Sequence, residues 1–234
     1  MPNITINNSE KAAIYILPIF ESDAILEKIQ SVSPEIGFDN FSLLEHFKGA
    51  AKEQLLSVGD SKAYFLGLGK KRESAAVSKI FRSFFYNNKS KLKGQISILL
   101  DHDNLAEFAT EISNGIYLAQ YNLGLLKTNQ KQESDWFSED SALNFVSKNA
   151  LTVEMEKGKQ LAETQMKIMR LVDSPANYKT PQMLASEVEK MGIQEGFAVK
   201  VYDEKQCLEL GLPAQRFGQQ CRKPCHEFWP HDRQ

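Results

Sequence analysis

The sequence predicts an α/β fold, a largely parallel sheet covered by helices, on three observations. Apolar runs of strand length alternate with amphipathic helical stretches, the first run is apolar at nearly every position, and no internal repeat or low-complexity segment breaks the alternation. A run buried on both faces belongs inside a parallel sheet, and strands that alternate with helices are joined by crossovers that cover it.

Ala12 to Phe20, rich in Ile and Tyr, reads as the first strand, and Ile25, Leu26, Ile29 and Val32 give Asp23 to Val32 a helical spacing. Ala63 to Leu68 reads as the next strand, with Ser74 placed to cap a helix running to about Tyr86. Gln95 to Leu100 is a third strand. Asn104-Leu105-Ala106-Glu107 then has the capping-box pattern, opening a helix with Leu105, Phe108, Ala109, Ile112 and Ile116 on one face. Lys127 to Asp140 is a polar surface excursion carrying Trp136 and Phe137, a subunit contact or a loop cover, before a short strand at Ala142 to Val146.

Leu151 to Val172 forms one long helix, with apolar positions Leu151, Met155, Leu161, Ile168, Met169 and Val172 and no proline before Pro175. Thr180-Pro181 caps a further helix that Gly192 should stop. Phe197 to Tyr202 is a strand, and Asp203 to Leu210 a helix ended by Gly211. The expected organisation is a first domain over 1–147, a linker helix over 148–175, an incomplete second α/β domain over 176–212, and a tail of different composition over 213–234.

The chain has 234 residues, 42% hydrophobic, enough to bury a sizeable core, and a net charge of -2 that gives no broad basis for nucleic-acid binding. The first residues lack a basic, apolar signal and no later run could span a bilayer, so a cytoplasmic location without membrane attachment is expected. Cysteine is absent before Cys207, unlike a secreted disulfide framework.

Cys221, Cys225, His226 and His231 are zinc-type ligands, but His226 adjoins Cys225 and little chain separates the four, so a tail without a metal site is the expectation. Gly67-Leu68-Gly69-Lys70 follows a strand and could expose N–H groups to a phosphate. It lacks the P-loop spacing and reads instead as a strand-to-helix turn. His46 and His102 have no second ligand at suitable spacing and read as surface or partly buried histidines, while Asp173 and Asn177 suit the turn that ends the long helix.

Three stretches resemble the leucyl aminopeptidase (cytosol aminopeptidase) family. They are Phe65-Leu66-Gly67-Leu68-Gly69-Lys70, supported by Asn114 to Tyr121; Gly158-Lys159 through Arg170-Leu171-Val172-Asp173-Ser174-Pro175-Ala176-Asn177 to Thr180-Pro181; and Val201 to Leu212. The resemblance covers about residues 10 to 212 and implies a macrodomain-like amino-terminal domain, a linker helix and the start of a catalytic domain. Complete members hold two divalent metals, zinc or manganese, that activate a water to remove the N-terminal residue of a peptide. It also implies homo-oligomer assembly through the amino-terminal domain.

Motifs resembling Gly-Lys-Gly and Asn-Thr-Asp-Ala-Glu-Gly-Arg, which carry the metal ligands in that family, do not occur in this chain. No catalytic, cofactor-binding or metal-binding residue is therefore assigned, no cofactor is expected for this chain, and the chain is expected to be an inactive, truncated relative. The alternative is a stand-alone macrodomain-like binding or oligomer-assembly module. Beyond Leu212 apolar periodicity stops, and Pro213 to Pro224 has the composition of a changed reading frame. Reading the gene in the other two frames after Pro213 should uncover an apolar strand with a glycine-serine turn and the missing metal motifs; unrelated sequence in every frame would refute this.

Overall fold

Every residue of Ile14–Phe20 (β2) is buried, all seven of them, which a strand achieves only with a neighbour on each edge and a layer on each face. In the computed structural model, which describes residues 3–6, 12–22, 25–36, 47–59, 61–122, 142–175 and 178–211, those neighbours are Lys62–Gly69 (β4) and Gln95–Leu99 (β5), both parallel to β2. Ile16 lies beside Tyr64 on one side and Ile98 on the other. With Asn3–Ile6 (β1), Gln54–Val58 (β3) and Ala142–Val146 (β6), the sheet has the order β1-β6-β5-β2-β4-β3. Only β3 runs antiparallel to its neighbour.

The expected class is thus present, with two strands that local pattern does not reveal. β1 has four residues, too few to show a period. β3 is an edge strand whose burial alternates although Leu55 and Leu56 are consecutive, so its pleat appears only once β4 lies beside it.

The pleat of β2 divides the core. Ile14, Ile16 and Phe20 join Phe81 and Phe85 of helix Ser74–Asn88 (α2) and Ile112 of helix Ala109–Leu118 (α3) on one face. Tyr15, Leu17 and Ile19 meet Phe47, together with Ile25 and Ile29 of helix Ile25–Ile36 (α1), on the other. Large apolar side chains such as these each contribute about 3 kcal/mol or more against truncation to alanine.

Two expected helix starts differ. Ser74 is the first helical residue of α2, and Glu73 at the cap position makes no side-chain capping bond. Asp103 and Asn104 both have φ of 55°, so the chain turns left-handed there and opens on a single 3-10 turn, Leu105–Phe108, ahead of α3. A side-chain cap needs extended backbone at the cap residue, and the left-handed turn gives that geometry up.

Helix Thr152–Asp173 (α4) turns a different stripe inward from the one its apolar residues suggest. Met155, Gly158, Ala162 and Met166 are buried, whereas Leu161, Ile168 and Val172 are 46%, 54% and 65% exposed. Close approach decides the rotation: a Cβ on Gly158 would stand 2.3 Å from the Thr110 carbonyl of α3, and one on Gly115 of α3 would stand 2.3 Å from the Ser78 carbonyl of α2. Hydrogen bonds fix the same rotation. Ser113 Oγ donates to the Met155 carbonyl at 2.7 Å, Ser78 Oγ to Asn114 Oδ1 at 2.9 Å, and Asn114 Nδ2 to Gln165 Oε1 at 2.9 Å. The helix read as a linker therefore packs along α3.

The chain divides after α4 into a first unit, Met1–Asp173, and a second, Ser174–Gln234. In the second, Thr180 caps helix Pro181–Glu195 (α5) as expected, its Oγ1 accepting from Met183 N–H at 3.2 Å. Gly192 does not stop α5. The helix runs on to Gly196, whose φ of 76° turns it, while Gly192 lies beneath Val199. Asp203 and Gln206 form a reciprocal capping box on helix Glu204–Glu209 (α6), and Gly211 follows with φ of 71°. Phe197 to Tyr202 is no strand in this structure, because no other strand lies beside it among the described residues, and a ladder needs two.

Replacing Gly158→Ala should lower unfolding stability by roughly 1–3 kcal/mol, since the methyl would have to displace the Thr110 carbonyl, Ser113 Cβ and the Asn114 backbone nitrogen. Gly59→Ala, where an added Cβ meets open space, should change it little. Urea denaturation of both variants measures the difference.

Candidate functional site

Ligands of open parallel sheets gather at the carboxyl ends of the strands. Here β2, β4 and β5 end together and are followed by Glu21 and Ser22, by Lys70 to Glu73, and by Asp101-His102-Asp103-Asn104. The left-handed turn at Asp103 swings its carboxylate back over β2, where the side chain is only 7% exposed.

Lys28 Nζ of α1 stands 2.6 Å from Asp103 Oδ1 and Arg72 Nη2 stands 3.7 Å from the same oxygen. Phe20 N–H donates to Asp103 Oδ2 at 3.4 Å, and Arg72 Nη1 to the Asp103 carbonyl at 2.7 Å. The guanidinium lies 4.4 Å over the Phe20 ring, which itself tilts against Phe108 at 5.7 Å. Lys70 pairs with Glu21 at 3.4 Å. Lys28 and Arg72 thus share the Asp103 carboxylate, and Lys70 pairs with Glu21.

His102 is partly buried, as expected. Its Nε2 donates to the Pro18 carbonyl at 2.7 Å, and its Nδ1 is buried without a partner. Burial holds the imidazole below its ordinary range, outweighing the Pro18 carbonyl and Asp103, which act in the opposite sense. With its pKa held below the ordinary value the ring is neutral near pH 7.

The glycine turn carries no phosphate cradle. Gly67 N–H donates to the Glu53 carbonyl and Gly69 N–H to the Gly49 carbonyl, each at 2.8 Å. A Cβ on Gly67 would stand 2.0 Å from the Ala50 carbonyl. These glycines let the 47–53 segment lie directly on β4, and the N–H groups of both are in use.

Asp173 closes α4, where Asp173 Oδ2 accepts a hydrogen bond from Tyr121 Oη. Burial and then this carboxylate raise the Tyr121 phenol above its ordinary value, and burial, with Glu156 and Glu163, pushes Tyr117 up to about 12. The Asn114 to Tyr121 stretch and the Asp173 motif, far apart in sequence, meet through this bond. Sequence reasoning missed the roles of Lys28, Arg72 and Asp103; the Asp-His-Asp run directly after a strand was the available signal.

Among the described residues no three of His, Cys, Asp or Glu converge where they could hold a metal ion. The two divalent metals of a complete aminopeptidase do not fit the donors these residues present. His46, Trp136, Phe137, Asn177, Cys221, Cys225, His226 and His231 lie outside the described residues. Among the described residues no helix is long and apolar enough to cross a membrane.

The His102 geometry has a consequence for acid stability. An imidazole whose folded pKa is depressed binds its proton more readily when unfolded, so stability should fall as pH drops below about 6.5 and through the lower folded value. His102→Gln should flatten this part of a melting-temperature profile between pH 7 and 4; an unchanged slope would show that other groups carry it.

No family model matches the chain. Among curated proteins it is 29% identical over 185 residues to a probable cytosol aminopeptidase of Aquifex aeolicus, covering 73% of this chain and 35% of that protein. It is 31% identical over 156 residues to a probable cytosol aminopeptidase of Clostridium perfringens, covering 63% and 31%. The chain spans about a third of the length of these relatives. Among solved structures, a mutant of tomato leucine aminopeptidase superposes with a TM-score of 0.69 at 18% identity over 90% of this chain and 46% of its own. The cytosol aminopeptidase of Coxiella burnetii gives 0.61 at 15% identity over 88% and 41%, and the bottromycin maturation enzyme BotP in complex with Mn gives 0.62 at 16% over 86% and 40%. At such identities the superpositions show a shared fold, and the curated relatives add the likeness of sequence. In sequence and in fold the chain is similar to the leucyl aminopeptidase (cytosol aminopeptidase) family.

Proposed function

We propose that this chain is the amino-terminal, architectural portion of a leucyl-aminopeptidase-type metallopeptidase, and that alone it hydrolyses no peptide. One observation carries the reading: the residues that bear the family likeness serve packing. Gly115 and Gly158 admit close helix contacts, Asn114 bridges α2 and α4, and Tyr121 holds Asp173 at the end of α4. None of them belongs to a group of three metal-ligating side chains among the described residues.

Metal-assisted hydrolysis needs carboxylates clustered around a divalent ion, which lowers the pKa of its water and polarises the carbonyl. The family's ligand motifs are missing from this sequence. On this reading the second unit is the beginning of the catalytic domain, and the two divalent metals, the peptide substrate and the cytosolic setting named for the relatives belong to a complete enzyme.

Purified chain supplied with manganese or zinc should release no amino acid from leucyl substrates above a protein-free metal control and should retain only substoichiometric metal after desalting. Turnover that survives removal of contaminating peptidases would overturn the proposal.

A further inference from the structure

Helix α4 ends on a residue that works against it. The carbonyls left over at a helix carboxyl terminus carry a partial negative charge, so a carboxylate there disfavours the last turn. Asp173 is the last residue of α4, with Arg170 one turn earlier as a favourable cation. Pro175 bars continuation, because its ring keeps the residue before it out of helical backbone. Burial stops early as well: Met166 is the last buried residue of α4, and the side chains from Lys167 to Asp173 are exposed or half-buried. Met169 packs partly buried against the cluster of Tyr117, Leu118, Tyr121, Ala162 and Met166. One turn beyond Met169, the Asp173 carboxylate accepts a hydrogen bond from Tyr121 Oη. That donor is held in place, since the Tyr121 ring is buried in the same cluster and its N–H donates to the Leu118 carbonyl at 3.1 Å.

We propose that residues 170–173, the last turn of α4, open and close separately from the rest of the helix, and that the bond between Tyr121 and Asp173 is the latch that keeps the turn closed. Closed, the carboxylate that opposes the helix end becomes its tie to α3. Open, the turn unwinds back to Met169, where side-chain packing takes over. A hydrogen bond to a charged group is strong enough to govern one turn of helix and too weak to govern the core beneath it, so the opening is local. The first unit ends at Asp173, and the latch therefore decides whether the chain leaves that unit as helix or as free backbone.

The inference stands apart from the aminopeptidase reading and is tested on the full chain by residue-resolved hydrogen exchange in a double-mutant cycle. In an α-helix the N–H groups of 170–173 bond to the carbonyls of 166–169, so their exchange reports this turn. Tyr121→Phe keeps the ring and removes the donor. It should speed exchange at 170–173 on the order of ten- to a hundredfold and leave 155–166 unchanged. With Asp173→Ala already in place, the same Tyr121→Phe change should add nothing. No acceleration at 170–173, acceleration spread along the whole of α4, or an equal response to Tyr121→Phe in both backgrounds would overturn the proposal.

Discussion

The structure depends on the complete burial of β2. A strand with both faces dry must be bounded by strands on each edge and by helices above and below, and its pleat assigns each apolar side chain to one layer or the other. Ile16 and Leu17 are neighbours in the chain, yet they belong to different cores, one under α2 and α3 and one under α1. The loops that follow the parallel strands emerge together at one edge because the strands run the same way.

The second organising feature is the nesting of α2, α3 and α4 by their smallest residues. Where a glycine faces a backbone carbonyl at a distance no Cβ could occupy, the helices approach until side chains such as Ser78, Ser113 and Asn114 can bond across the gap. Dispersion and hydrogen bonding act in the same place, and each depends on the other's geometry. This explains how a long helix with scattered apolar residues settles on one rotation and leaves Leu161, Ile168 and Val172 outside.

At the sheet edge the same economy appears with charges. The Asp103 carboxylate, nearly buried, is held by two cations and a backbone N–H, so it stabilises the turn instead of offering itself to a ligand. His102 beside it is neutral and anchored to β2. The carboxyl end of a parallel sheet is an ordinary place for a binding site, but fold alone assigns none, and here the Asp103 carboxylate is bound by the protein's own groups.

Local chemistry in the sequence determined the parallel α/β class, the strands β2, β4, β5 and β6, the Thr180 and Asp203 caps and the family likeness, because burial on both faces and capping by short polar side chains leave marks within a few residues. The sequence also excluded the family's metal motifs, since these are local. Tertiary structure alone decided the rest: β1 and β3, which exist only beside their partners; the inward stripe of α4, set by glycines fitting distant carbonyls; the left-handed turn at Asp103; and the meeting of Tyr121 with Asp173. It also decided that Phe197 to Tyr202, a strand by composition, pairs with no strand among the described residues, because β-structure is a property of two segments and the described residues of the second unit include no strand.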